Sequence, residues 1–165
     1  MTAGISSQKM TVSVELLNWP DAQAEARPLR YAVFVIEQKV PVELEWDEWD
    51  EQSVHAIARL DGKAAGTGRL LPVAADGVVK IGRMAVSREV RGQGLGAAIL
   101  AALVDRARQA GATTALLHAQ TEAAPFYRKA GFIGRGETFY EAGIPHVEVT
   151  LPLQGGARAQ VCAKP

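Results

Sequence analysis

The segment Val86-Ser87-Arg88-Glu89-Val90-Arg91-Gly92-Gln93-Gly94-Leu95-Gly96 runs directly into Ala97-Ala98-Ile99-Leu100. Its residue types suit one task, the holding of a phosphate by backbone amides. A glycine-rich turn that opens a helix aims several N–H groups at one point, at the positive end of the helix dipole. Gly92, Gly94 and Gly96 keep Cβ atoms away from that point and tolerate positive φ. Gln93 and Leu95 lend their amides, and Arg91 adds a cation with planar donors. The P-loop pattern is not matched, because no Gly-Lys-Ser/Thr follows the glycines. A dinucleotide fingerprint, G-x-G-x-x-A, is matched from Gly92 to Ala97, but it requires an acid about 20 residues on, at the end of the next strand. Here that strand ends Leu116-Leu117-His118-Ala119-Gln120, and Glu122 falls beyond it.

A second block carries the other chemically able side chains: Gln120-Thr121-Glu122-Ala123-Ala124-Pro125-Phe126-Tyr127-Arg128-Lys129-Ala130-Gly131-Phe132. With Arg91-x-x-Gly94-x-Gly96 before it, this block resembles the acyl-CoA motif and C-terminal signature of the GNAT acetyltransferases. The resemblance implies transfer of an acetyl group from acetyl-CoA to an amine of a small molecule or protein, by direct attack. It implies that Met84, Ala85 and Val86 pair their backbone with the pantetheine arm, as an added strand would. The amides from Gln93 to Gly96 would take the pyrophosphate, and Gln120 and Phe126 would also meet the cofactor. Tyr127 occupies the family's general-acid position, and a phenol suits a departing alkyl thiolate. Gln120 stands where many members have asparagine, which leaves an ordinary strand-end glutamine as the other reading.

The general base is not legible. Many relatives carry a glutamate on the strand before the motif, whereas residues 80–87 contain no carboxylate and place Arg83 there. Glu37, Glu43, His55, His118 and His146 remain candidates, each with a structural reading beside it. Glu43, Trp46, Arg83 and His146 are the expected acceptor contacts. The acids Glu43, Glu45, Asp47, Glu48, Asp50 and Glu51 form either a solvated loop or a rim that draws in a cationic amine. Trp46 and Trp49 serve either as ammonium contacts or as anchors of that loop. A non-catalytic acyl-CoA-binding module is the alternative function.

Composition narrows the classes. The chain has 165 residues, 48% of them hydrophobic, enough for one core. Eighteen basic and eighteen acidic residues cancel, leaving no footprint for nucleic acid or an anionic membrane. The only cysteine is Cys162, so neither a disulfide framework nor an evident nucleophile is available. No metal site is expected. The first nine residues lack a signal segment, and the longest apolar stretch, residues 95–104, is too short to span a bilayer. A cytoplasmic protein is expected, with a homodimer compatible with the sequence.

These groups must be positioned by elements that the pattern outlines. A strand is read at residues 11–17, a turn at Trp19-Pro20-Asp21 with Asp21 as cap, and a helix over 28–38 burying Leu29, Val33 and Ile36. A loop spans 40–52, and strands at 53–60 and 63–71 flank the hairpin signal Asp61-Gly62. A strand at 80–87 feeds the phosphate turn and its helix, which ends near Gly111. Then come a strand at 113–119 buried on both faces, a helix at 122–130, and strands at 132–140 and 147–153 linked through 141–146. The fold class is α/β, a mixed sheet of about six to seven strands, with the GNAT resemblance implying helices on both faces. One domain is expected over 1–153, with a flexible tail at 154–165. The N-terminal half further resembles the ElaA-like proteins, in Arg30-Tyr31-Ala32-Val33-Phe34-Val35-Ile36-Glu37-Gln38, Glu45-Trp46-Asp47, Asp50 and His55. Gly82-Arg83 and Gly143-Ile144-Pro145-His146 fit that subgroup too.

Overall fold

The computed structural model describes residues 10–153. Seven strands form one mixed sheet in the order β1-β2-β3-β4-β5-β7-β6. They are β1 (Val12–Leu17), β2 (Val54–Leu60), β3 (Lys63–Leu70), β4 (Val78–Val86), β5 (Thr114–Gln120), β6 (Ile133–Glu141) and β7 (Ile144–Pro152). All neighbours are antiparallel except β4 and β5, which pair in parallel only from Val78–Thr114 to Lys80–Leu116. Beyond Lys80 and Leu116 the two strands continue without pairing, so the sheet opens as a wedge. A register shift between β3 and β4 accompanies the opening, and Arg83 sits there at φ 51°. An extra residue in one strand bends it and sharpens its twist, which turns β4 away from β5.

Helices cover both faces. Helix α1 (Trp19–Arg30) packs with Ile57, and α3 (Leu95–Gln109) with Ala56 and Ala58, the neighbours of Ile57 on β2. Successive strand residues point to opposite faces, so the two helices lie on opposite sides. Gly66 and Gly68 let α3 come close. A Cβ on Gly68 would lie 2.8 Å from Met84 Sδ and 2.9 Å from Ile99 Cγ2.

The first helix begins earlier than its proline suggests. Asn18, not Asp21, is the cap, its Oδ1 accepting from Asp21 N at 3.2 Å. Pro28 lies inside α1 and has no N–H for the carbonyl one turn back. The chain continues as a wider π-helical segment, Tyr31–Glu37, closed by Gln38 N donating to Val33 O at 3.0 Å. That widening changes the periodicity. Val33 stays buried, while Ile36 is 56% exposed rather than sharing its face.

Residues 40–52 are more structured than a loop. They hold α2 (Val42–Glu45) and a 3-10 turn, Glu48–Gln52, whose cap Asp47 accepts from Trp49 N. Strand β5 alternates between buried and half-buried residues instead of being buried on both faces. Helix α4 (Ala124–Lys129) follows a 3-10 turn at Thr121–Ala123. The link between the last two strands shrinks to a two-residue hairpin, Ala142 (φ 49°) and Gly143 (φ 76°), so Ile144 to His146 belong to β7. The expected tail at 154–165 lies outside the described residues. No described helix is long and apolar enough to cross a membrane.

Candidate active site

The phosphate turn is built by φ angles that only glycine adopts freely. Gly92 stands at φ 83°, and Gly94, the cap of α3, at φ 89°. The first N–H to enter the α3 ladder is that of Ala98, donated to Gly94 O at 3.0 Å. Those of Leu95, Gly96 and Ala97 precede it and have no intrahelical partner. Leu95 fixes this end of the helix, its side chain 1% exposed in the core. Phe126 of α4 packs over Gly96, whose added Cβ would sit 3.5 Å from the ring. Arg91 is on the turn, but its guanidinium is shared. It forks onto Glu37 with two bonds of 2.7 Å, and Nε donates to Val86 O at 3.0 Å. The Arg91 bonds hold the Glu37 carboxyl below its ordinary range.

The wedge between β4 and β5 opens into a cavity of about 530 Å³. Of the residues expected in the site, Arg83, Met84, Gln120, Tyr127 and His146 line it. Ala85 and Val86 carry β4 on toward the turn. Glu43 and Trp46 do not line it: Glu43 is exposed on α2, and Trp46 lies under the guanidiniums of Arg27 and Arg30, at 5.0 and 4.9 Å. Their neighbours Leu44, Glu45, Asp47 and Trp49 line it instead. Among the base candidates, His118 and His146 are at the cavity, whereas Glu37 and His55 are not. His55 is 1% exposed, beside Trp19 at 4.7 Å, and its Nε2–H donates to Asp50 O at 2.8 Å. Burial lowers the pKa of His55, so it is held as the neutral imidazole.

Tyr127 reaches the cavity from α4. The residue is 7% exposed, braced edge-on by Phe126 and Phe132, and its hydroxyl has no hydrogen-bond partner among the described residues. Burial pushes the phenol up to about 12. Gln120 Nε2 donates to Gln38 Oε1 at 2.7 Å, bridging β5 to the π-helical segment.

Much of the acidic segment is spent on arginines. Arg30, 1% exposed, donates to Glu45 Oε1 and to both oxygens of Asp50. Arg69 forks onto Asp47 at 2.6 and 2.8 Å and reaches Asp50 at 2.9 Å. Arg83 donates to the carbonyl of Glu45 and to Asp47 Oδ2. This network clamps residues 42–52 against β3 and β4 and forms one wall of the cavity. Buried charges persist only when paired in this way. Of the six acids, Glu43, Glu48 and Glu51 remain on the surface.

Gln38 and Glu141 at the cavity were not singled out as site residues in the sequence, whereas Trp49, read there as either an ammonium contact or an anchor of the loop, lines it. Glu141 had a readable signal, since Ala142-Gly143 is a two-residue turn that folds Glu141 back across from Ile144.

The family model described as an acetyltransferase (GNAT) domain matches residues 20–153. The chain belongs to the GNAT acetyltransferase family. It is 40% identical over 122 residues to the uncharacterised N-acetyltransferase YjcF of Bacillus subtilis, covering 73% of this chain and 86% of that one. An acyl-CoA N-acyltransferase of Pseudomonas aeruginosa superposes with a TM-score of 0.75 at 31% identity, covering 85% of this chain and 99% of that one. Escherichia coli ElaA does so with a TM-score of 0.75 at 26% identity, over the same shares. This acetyltransferase is therefore an acyl-CoA-dependent N-acyltransferase. Its wedge, amide turn and cavity offer room for a thioester, its phosphates and an acceptor where β4 and β5 part in the middle of the sheet.

Proposed function

We propose that this GNAT enzyme moves the acetyl group of acetyl-CoA to a primary amine by direct attack in a ternary complex. The observation that carries this reading is the meeting, at the open β4/β5 wedge, of a glycine-cradled helix start and an unpartnered tyrosine hydroxyl. The pantetheine arm would pair along Met84, Ala85 and Val86, with the pyrophosphate on the amides of residues 93–96. Arg91 would turn from Glu37 toward the phosphates. The acceptor would enter through the cavity past Leu44 and Trp49, which are 56% and 41% exposed at its mouth. Tyr127 would protonate the leaving thiolate. Its raised pKa remains compatible with that role, because the desolvation that raises the phenol also raises a thiolate beside it.

Acetyl-CoA should raise the melting temperature by mass action, by about 2.7 kcal/mol of stability at a hundred times Kd. NAD should have no effect. Gly94→Glu should abolish the shift, since it puts a carboxylate and a strained φ at the anion site. Thermal melts with each ligand check this, and equal stabilisation by NAD would overturn the cofactor assignment. Appearance of free CoA thiol together with an acetylated amine, across a panel of amines, tests the reaction itself.

A further inference from the structure

We propose that His118 is the base that takes the proton of the acceptor ammonium, and that Glu141 is the residue that positions it. The proposal rests on the acetyl-transfer reading above and names the proton acceptor that reading lacks. The other candidates are engaged elsewhere or, like Glu43 on the exposed side of α2, do not line the cavity. Glu37 is forked by Arg91, Glu45 and Asp47 are held by Arg30, Arg69 and Arg83, and His55 is buried against Trp19. Glu141 is the cavity carboxylate that no arginine or lysine pairs among the described residues.

His118 is the second residue of β5 beyond Leu116, the last to pair with β4, so it stands where the wedge begins. Its Nδ1 lies 2.7 Å from Glu141 Oε1. A carboxylate only accepts, so Nδ1 carries a hydrogen, and in the neutral ring the lone pair is on Nε2. Nε2 has no hydrogen bond among the described residues; Glu148 Oε1 is 3.8 Å away. The ring is fixed edge-on against Phe139, with centroids 4.9 Å apart. This is a base with its tautomer set by an orienting acid, on a rigid strand. His146 is the weaker rival. Its Nδ1–H is given to a backbone carbonyl, Ile144 O at 2.7 Å, so no acid orients its ring; a carboxylate lies at a similar distance from Nε2 in both rings, 4.0 Å for His146 and 3.8 Å for His118. The charged and titratable groups around His118 are Glu141 on β6, Glu148 and His146 on β7, and Arg135, the register partner of Glu148.

The protons balance. The ammonium gives its first proton to His118 Nε2, and from there it passes to solvent. The neutral amine then attacks the thioester carbon, the C–N bond forming as the C–S bond breaks. The second proton leaves nitrogen and, by way of the Tyr127 phenol, ends on the thiol. Amine as ammonium plus acetyl-CoA thus gives amide, CoA thiol and one solvent proton.

Two measurements test this, with phenethylamine, lysine and spermidine as acceptors. First, ¹⁵N NMR of the imidazoles in the full chain should show His118 neutral with hydrogen on Nδ1, and Glu141→Gln should mix the tautomers. Hydrogen on Nε2 in the wild type would overturn the proposal whether or not an acceptor turns over. Second, in kcat/KM against pH, His118→Gln should cost about 10²–10⁴-fold and remove the acid limb. His118→Ala should regain rate with added imidazole. Acetyl-CoA affinity should be unchanged in all three variants. An acid limb that survives His118→Gln, or disappears only in His146→Gln, would refute the assignment. Failure of the wild type to acetylate any amine would instead count against acetyl transfer.

Discussion

Tyr127→Phe should lower kcat by about 10²–10⁴-fold on an acceptor that turns over, and leave acetyl-CoA affinity near the wild-type value. The hydroxyl has no hydrogen bond to lose among the described residues, and the ring keeps its packing against Phe126 and Phe132. Under the proposed role, its removal would act on the leaving thiolate, a charge that exists only as the C–S bond breaks. The wild type should show no alkaline limb from this group below its pKa of about 12. Steady-state kinetics with binding measured separately decide the matter. A variant that keeps its kcat while bond breaking limits the rate would remove Tyr127 from the mechanism.

Asp50→Ala should be the most damaging single change to stability, costing about 3–5 kcal/mol. Asp50 is 3% exposed and receives bonds from Arg30 at 2.7 and 3.2 Å and from Arg69 at 2.9 Å. Without it two buried guanidiniums face each other with half their compensation. For a chain of this size the melting temperature should fall by roughly 6–20 °C. Urea denaturation at neutral pH measures it, and a loss under 1 kcal/mol would show that the network tolerates a missing anion. Glu48→Ala and Glu51→Ala, on the exposed side of the same turn, should change little.

The glycine turn at the start of α3 was legible because it is local. Gly92 and Gly94 are needed where the backbone turns at φ 83° and 89°, and such needs leave a mark in a short window. Tyr127 could be placed because Phe126, Tyr127 and the Gly131-Phe132 ending share one short helix. The cavity wall formed by residues 42–52 was harder to read because it is assembled across the sheet. Nothing in residues 40–52 says that Glu45 and Asp50 are buried while Glu48 and Glu51 are not; that depends on Arg30 and Arg69, which come from α1 and β3. The start of α1 was misplaced for a different reason. Pro28 reads as a first-turn residue, but the helix absorbs it and passes into a π-helical segment, which exposes Ile36. His118 and Glu141, 23 positions apart, meet only through the β6–β7 hairpin.

The bare strand under α3 has a consequence for how such an enzyme would look in a mutational scan. Gly66 and Gly68 touch no part of the phosphate turn, yet they set the height of α3 above the sheet, and the amides of Leu95 to Ala97 ride on that helix. A methyl group at Gly68 meets Met84, Ile99 and Leu103 at 2.8 to 3.0 Å, and overpacking of this kind costs about 1–3 kcal/mol or displaces a backbone. Part of that displacement would be carried along the helix axis to its first turn. A screen scored on cofactor retention would then flag β3 as though it met the ligand. The tolerance of the phosphate site is written one layer away from it, in hydrogens that stand where side chains would otherwise be.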